Sequence, residues 1–442
     1  MSAIMGIKVC KFGGSSLADA GQFRKAAEII AADPERRYVV PSAPGKRHKD
    51  DQKVTDLLYL CHASAQQDVP FDQTFERITE RYQQIVDELG LDLELQPHLD
   101  QIARQVAGGA SADYTASRGE YLNGLIMAAL LGFDFVDPAE VIHFHANGRF
   151  DAENTQQSTS ARLRQHERAV VPGFYGSTPD GQVKTFSRGG SDITGAIVAR
   201  GVGASVYENW TDVSGLLMAD PRIVDSPRPI DVVTYAELRE LAYMGATVLH
   251  DEAIFPVRQA GIPVNIRNTH RPDDPGTMIV RDAEPVTQRG EITGVAGRKD
   301  FTVINIEKSL MNAEVGFGRR VLAALEDNGV SFEHIPSGID TMSLVIADSQ
   351  INGKVDDVLE QIRADCRPDA IEATVNIALV ATVGRGMAHT PGMAARLFTA
   401  LAEAGVNIRM IDQGSSELNI IVGVEAADFE KAVKAVYAAF VK

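Results

Sequence analysis

The sequence predicts an α/β protein: a central, mostly parallel sheet flanked by helices, followed by two small βαββ modules. Three observations carry that expectation. Short apolar runs rich in Val and Ile alternate with longer stretches of helical spacing, the pattern of strands joined by crossover helices. Two of these strands run through Gly-Gly pairs, Gly13-Gly14 and Gly189-Gly190, into helical periodicity. Beyond a polar stretch at 282–291 containing Pro285 and Gly290, the order strand, helix, strand, strand occurs twice. The repeat separation of about 75 residues points to a duplicated small ligand-binding module rather than a solenoid of three or more copies.

Bulk properties bound the rest. A chain of 442 residues, 44% of them apolar, has ample material for buried cores and exceeds one ordinary domain. The expected division is 1–285, a linker and first strand at 286–300, and modules at 301–372 and 373–442. Asp and Glu number 60 against 43 Lys and Arg, a formal charge of −17. That argues against a nucleic-acid or anionic-membrane surface while leaving room for a local basic pocket. Cys10, Cys61 and Cys366 lie far apart without ligand spacing, so neither a disulfide framework nor a zinc site is expected. No run of about 18 apolar residues and no secretory pattern is present, so a soluble cytoplasmic protein is expected.

The first apolar lead (Ile4, Ile7, Val9) reaches Lys11-Phe12-Gly13-Gly14-Ser15-Ser16 and then a helical stretch from Leu17 to Ile30. Such a junction aims backbone N–H groups and a positive dipole end at one point, and Lys11 adds a mobile ammonium, together a seat for a nucleotide phosphate. Tyr38 to Val40 is a strand ending in the small-residue segment Pro41-Ser42-Ala43-Pro44-Gly45, where a ligand can approach the backbone. Residues 46–53 read as a polar surface loop, and a helix restarts at Val54, with Thr55 or Asp56 as its cap or Thr55 as a cleft hydroxyl. A helical excursion spans 71–106. The next helix, from Ser117 to Leu131, is headed by Glu120, where a carboxylate is ordinarily just a favourable dipole partner.

A strand at 169–176 turns at Pro179-Asp180-Gly181 and returns at 183–186. It leads to Ser187-Arg188-Gly189-Gly190-Ser191-Asp192 and the helix Ile193 to Arg200. Arg188 offers a planar cation to a carboxylate and Asp192 an anion to an ammonium; the plainer reading is a capped helix start with a surface ion pair. The strand 205–210 ends at Thr211-Asp212, and open α/β sheets bind ligands beyond such strand ends. A helix at 235–243, another reaching Ala260 and a last strand at 263–267 complete this region.

Six stretches in this order carry a family resemblance: KFGGSSLAD at 11–19, VTDLL at 54–58, SRGEYL at 117–122, SRGGSD at 187–192, TDVSGLLMADPR at 211–222, and the tail from GRGMAHTPGMAARLF to IDQGSSE. In them the chain resembles the monofunctional aspartate kinases of the amino-acid kinase superfamily, with C-terminal ACT modules. The length leaves no room for the dehydrogenase of the bifunctional relatives. The resemblance implies an amino-acid kinase fold and phosphorylation of the side-chain carboxylate of L-aspartate by MgATP, the magnesium being carried by the nucleotide. It places Lys11 and Asp192 as catalytic residues. Lys11, Phe12, Gly13, Gly14 and Ser15 would hold the phosphates, while Thr211, Asp212, Leu217, Arg222 and Thr247 border the nucleotide. Ser42, Thr55, Glu120, Arg188, Ser191 and Asp192 would line the aspartate pocket, with Arg188 on the α-carboxylate and Glu120 or Asp192 on the ammonium. Thr247 and Leu217 depart from a lysine and a tyrosine of many relatives.

The paired modules imply feedback control and a homo-oligomer, dimer or tetramer. Effector-site candidates are Met311, Val315, Gly316, Glu333 and Ser337 in the first module, with Asn407 and Gln413 in the second, although an isolated asparagine more commonly caps a turn. Lysine is the expected effector, threonine the alternative, alone or with lysine. The strand 292–296 is expected to complete the second module. Two other classes stay open: a kinase for a different small acid, and a non-catalytic amino-acid sensor retaining the fold.

Overall fold

A computed structural model describes residues 6–187, 189–245, 254–281, 292–388 and 390–441. The expected linker at 282–291 lies outside the described residues. The chain forms two compact units, one of residues 1–216, 231–235 and 248–285, the other of residues 217–230, 236–247 and 286–442.

The first unit runs β1 (Lys8–Phe12), α1 (Ala20–Ala31), β2 (Arg36–Pro41), α2 (Val54–Gln66), α3 (Asp72–Leu89), α4 (Gln96–Ala107), α5 (Ala112–Leu131), β3 (Asp134–Phe135), α6 (Ala152–Leu163), β4 (Ala169–Val170), β5 (Tyr175–Ser177), β6 (Val183–Thr185), α7 (Gly190–Val202), β7 (Val206–Thr211) and β8 (Val232–Thr234). After α8 (Tyr235–Tyr243), which continues into the second unit, come α9 (Phe255–Ala260), β9 (Val264–Asn268) and β10 (Thr277–Val280). Among the described residues the main sheet has the order β3-β4-β2-β1-β7-β9-β10-β8. Every neighbouring pair is parallel except β9–β10. β1 is central, and its register sets Lys11 beside Val40 on β2 and Asn209 on β7.

A buried ionic knot fixes these strands. The Glu208 carboxylate accepts from Arg36 Nε at 2.8 Å, Trp210 Nε1 at 2.9 Å and Cys10 Sγ at 3.3 Å. Arg36 and Arg267 lie against the Trp210 ring at 5.2 and 4.7 Å, and Phe12 stacks on it at 6.1 Å. A carboxylate withdrawn from water needs such partners, and here they come from β1, β2, β7 and β9.

Several local expectations are corrected. The first Gly-Gly opens only a single 3-10 turn, Gly14–Leu17; α1 starts later, its first turn capped by Asp19, which accepts from Gln22 N. Residues 169–176 are two strands, because the chain turns at Phe174 (φ 85°) and β5 pairs with β6 in a separate ribbon. Its turn is the expected one, with Gly181 N donating to Thr178 O at 2.9 Å. The N-cap of α2 is Lys53, without a side-chain bond, so neither Thr55 nor Asp56 caps that helix. α5 begins behind Ser111, whose hydroxyl accepts from Tyr114 N, so Glu120 lies in the helix interior rather than at its head. β10 follows β9, which is therefore not the last strand.

The second unit contains β11 (Gly294–Glu307), α10 (Phe317–Asp327), β12 (Thr341–Ala347), α11 (Asp348–Ile351), α12 (Val355–Cys366), β13 (Ala370–Val383), α13 (Met393–Glu403), β14 (Ile408–Asp412), β15 (Asn419–Glu425) and α14 (Phe429–Phe440). Its antiparallel sheet has the order β12-β11-β13-β15-β14. β11 and β13 serve both halves. Residues 301–307 of β11 pair with β12, whereas residues 294–298 pair with 379–383 of β13, so the strand expected at 292–296 does join the second half. Each half has its own core, one around Ile304, Val321, Leu344 and Ile362, the other around Val380, Leu397, Val422 and Val433. The strand expected straight after the helix of the first half does not form; among the described residues that segment makes only isolated bridges, His334 to Val345 and Ser337 to Met342. Helices α12 and α14 add to the two halves, placing Val358/Ile362 and Val433/Val436 in their cores.

Candidate active site

Lys11, just ahead of the first Gly-Gly pair, and the second pair itself share one cavity of about 220 Å³ at the C-terminal ends of the central strands. Lys11, Ser42, Thr55, Glu120, Ser191 and Asp192 line it, with Phe174, Gly189 and Gly190. Lys11 Nζ and Asp192 Oδ1 are 2.6 Å apart, and the same oxygen accepts from Asn209 Nδ2 at 2.9 Å. Asp192 is thus not the cap of α7. That position is Gly189, whose left-handed backbone (φ 57°) turns the chain into the helix. Asp192 sits in the first turn, its main-chain carbonyl held by Tyr207 Oη at 3.1 Å. α7 spans 13 residues, so its N-terminal dipole faces the cavity; the brief 3-10 turn at the first junction supplies much less of one.

Ser42 directly follows β2, and its carbonyl accepts from Asn123 Nδ2 of α5 at 2.7 Å. Glu120, two turns inside α5, is 6% exposed, and its Oε2 has no hydrogen-bond partner. Burial pushes its carboxyl up to about 8, opposed by hydrogen bonds from the backbone of Ala43 and of Glu120 itself and by the charge of Arg118. An acceptor left orphaned in a polar cavity is suited to a cationic ligand group, which would restore its ionisation. Arg188, the expected carboxylate clamp, lies outside the described residues.

On the phosphate side, Gly13 N donates to Trp210 O at 3.0 Å, so that amide is used by the fold. Gly14 faces Gly45, where a Cβ on either would come within about 3 Å of the opposing backbone. Phe12 is buried under Trp210, and Ser15 is half-buried beside the turn. Thr211 closes β7 with its hydroxyl 3.2 Å from Asp212 Oδ1. Leu217 and Arg222 fall in the second unit, both exposed, and Arg222 forks onto Asp220 with its Nη2 at 2.6 Å. Thr247 lies outside the described residues. The sequence reading missed Asn209 and Phe174. The signal for Asn209 was its place at a buried strand end aligned with Lys11, which only the register reveals.

In the second unit, Met311 is buried, while Val315 and Gly316, the latter the N-cap of α10, are exposed. The Met311 loop is tied to the turn after Ser337 by Asn312 N to Ile339 O at 3.2 Å. Glu333 is half-buried with Oε2 unpartnered, and burial raises its carboxyl. Its neighbour His334 contacts Asp412 of β14 through Nδ1 at 2.7 Å, so the strip 333–337 meets the second half next to Gln413. Asn407 and Gln413 are exposed at either end of β14.

Comparison with known proteins agrees with this architecture. Residues 6–268 match the Amino acid kinase family and residues 380–440 an ACT domain. Aspartokinase 3 of Bacillus subtilis (strain 168) is 40% identical over 449 residues, covering 98% of both chains. The crystal structure of Clostridium acetobutylicum aspartate kinase superposes with a TM-score of 0.94 at 57% identity, covering 98% of this chain and 100% of that one. E. coli aspartokinase III is similar in two complexes. With aspartate and ADP the TM-score is 0.72 at 26% identity (98% and 99% covered); with lysine and aspartate it is 0.74 at 25% (99% and 100% covered). Family matches, near-full-length similarity and the shared fold lead to one conclusion: the chain belongs to the amino acid kinase family, among the aspartate kinases that carry ACT domains.

Proposed function

We propose that the first unit transfers the γ-phosphoryl group of MgATP to the side-chain carboxylate of L-aspartate, giving 4-phospho-L-aspartate and ADP, the entry step to lysine, threonine and methionine synthesis. The observation that carries the reading is the Lys11–Asp192 pair at 2.6 Å, which joins the two glycine junctions across a cavity holding the orphaned Glu120. The acceptor carboxylate, with an ordinary pKa near 3.9, is already ionised, so no general base is needed. One of its oxygens bonds to the γ-phosphorus as the bond to the β-phosphate bridging oxygen breaks, and no proton moves. The obstacle is repulsion between two anions, and catalysis is positioning plus charge neutralisation. Lys11, handed from Asp192 to the transferred group, neutralises it. Glu120 takes the substrate ammonium, Arg188 its α-carboxylate, and Ser42, Thr55 and Ser191 orient it. Gly13, Gly14 and Ser15 shape the phosphate seat, and Thr211, Asp212, Leu217, Arg222 and Thr247 border the nucleotide.

The second unit applies feedback control, with lysine as the effector and threonine as a further one, at Met311, Val315, Gly316, Glu333 and Ser337 together with Asn407 and Gln413. The complex of E. coli aspartokinase III with lysine supports lysine. Leu310, Val315 and Ile339, exposed on the loops between β11 and β12, support a homo-oligomer paired through the first half. Trapping the product as a hydroxamate in ATP, Mg²⁺ and L-aspartate tests the activity. No trapped acyl phosphate at any aspartate concentration would leave an amino-acid sensor.

A further inference from the structure

The loop 46–53 belongs to the cavity rim. Ser42 before it and Thr55 after it both line the cavity, so the chain leaves and re-enters the same rim. In a protein of net charge −17, this loop opens with Lys46, Arg47, His48 and Lys49, all exposed. Its root is pressed onto the phosphate turn. Gly45 N donates to Gly14 O at 2.8 Å, and a Cβ on Gly45 would lie 2.7 Å from Ser15 N. Lys46 therefore leaves the backbone one residue from contact with that turn.

The loop is fastened from within. Arg47 forks onto Asp51 at 2.9 and 3.1 Å, and Arg81 of α3 reaches the same carboxylate at 3.2 Å. Arg81, 5% exposed, also donates to the Ala18 carbonyl at 3.0 Å and to that of Gly45. One buried guanidinium thereby braces the helical excursion, the phosphate turn and the loop root. Arg47 is consumed by this clasp. Lys46, His48 and Lys49 form no ion pair among the described residues; the Lys46 ammonium has a carbonyl contact at 3.4 Å, from Lys49.

We propose that this clasped loop is a nucleotide-binding element, in which Lys46 and Lys49 contact the β- and γ-phosphates as cations additional to Lys11. The proposal rests on the kinase reading above. Phosphate rather than the acceptor's carboxylate is the ligand because the loop root abuts Gly14 and Ser15, and a flexible ammonium serves phosphate well as a point charge.

The test uses the full chain with Lys46→Met, Lys49→Met and both together, substitutions at exposed positions outside the clasp. ADP and AMP binding are measured by calorimetry, and KM is measured for MgATP and for aspartate. A charge-assisted contact to phosphate implies that the double variant weakens ADP binding about tenfold or more. MgATP KM rises in parallel, while AMP binding and aspartate KM stay within about twofold, and Lys46→Arg/Lys49→Arg restores ADP affinity in large part. Unchanged ADP binding would overturn the proposal. So would equal weakening of ADP and AMP, which signals a loosened site, or a rise confined to aspartate KM, which puts the lysines on the acceptor. The ADP measurement reads the loop whether or not aspartate proves to be the acceptor, so the two readings fail separately.

Discussion

Replacing Glu120 by Gln keeps the side chain's shape and removes its titration. In the ligand-free protein the buried carboxyl is held up to about 8, against an ordinary value of 4.5. The folded state therefore binds this proton more tightly than the unfolded chain. The resulting stability is fully present below the ordinary carboxylate range and is lost as pH rises toward 8. Gln has nothing to lose, so the variant's advantage grows by about 1.4 kcal/mol per pH unit in that window. The advantage amounts to about 1 kcal/mol near pH 5, about 3 kcal/mol near pH 7 and roughly 5 kcal/mol above pH 8. Urea titration of both full-length proteins at these pH values measures it. The chain has a single tryptophan, Trp210, fully buried in the first unit's sheet, so fluorescence reports that unit. A gap that does not widen with pH, or a variant less stable than the parent near pH 7, would mean that Glu120 is ionised and partnered, refuting the orphan reading. The same substitution abolishes the countercharge for the substrate ammonium: aspartate affinity of the parent rises with pH toward 8, while that of the variant is weaker and flat.

Lys11→Ala lowers turnover by about two to three orders of magnitude with a smaller change in aspartate affinity, since a transition-state contact is removed; equal modest losses in steady-state kinetics would contradict that role. Glu208→Ala leaves the Arg36 guanidinium buried without its carboxylate and costs about 3–5 kcal/mol, read as a shift of the urea midpoint by Trp210 fluorescence. Glu333→Ala leaves the uninhibited rate unchanged and raises the lysine concentration for half inhibition about tenfold, by loss of a charge-assisted contact; unaltered inhibition would move the effector elsewhere.

Sequence periodicity gave the sheet-forming runs and long helices because burial on one or both faces imposes it. β2, β7, α3, α7 and α10 lie close to where apolar spacing puts them. Junction chemistry was legible too: Lys11, Ser42, Thr55, Glu120, Ser191 and Asp192 come from five separated points in the chain and line one cavity. What escaped was set by tertiary register and local sterics. Asn209 gains its meaning from standing beside Lys11 across β1 and β7, a relation with no local signature. Glu120 looked like a helix head because the stretch from Ala112 to Arg118 is largely polar, yet Ser111 caps the helix nine residues before Glu120. The short strands β3 and β8 and the break at Phe174 fall below the length at which alternation can be read.

The sharing of β11 and β13 between the two ACT-type halves bears on how the chain is made. Gly294 pairs with Val383, so the opening residues of β11 emerge from the ribosome long before their partner exists. In the interval α10, β12 and α12 close the first half on residues 301–307. The second half must then be completed by late, distant pairing, the slow kind of step. Assembly of the regulatory sheet thus has a built-in order, and a chain stalled or cut before β13 would carry an unsatisfied strand edge, prone to sticking to its neighbours.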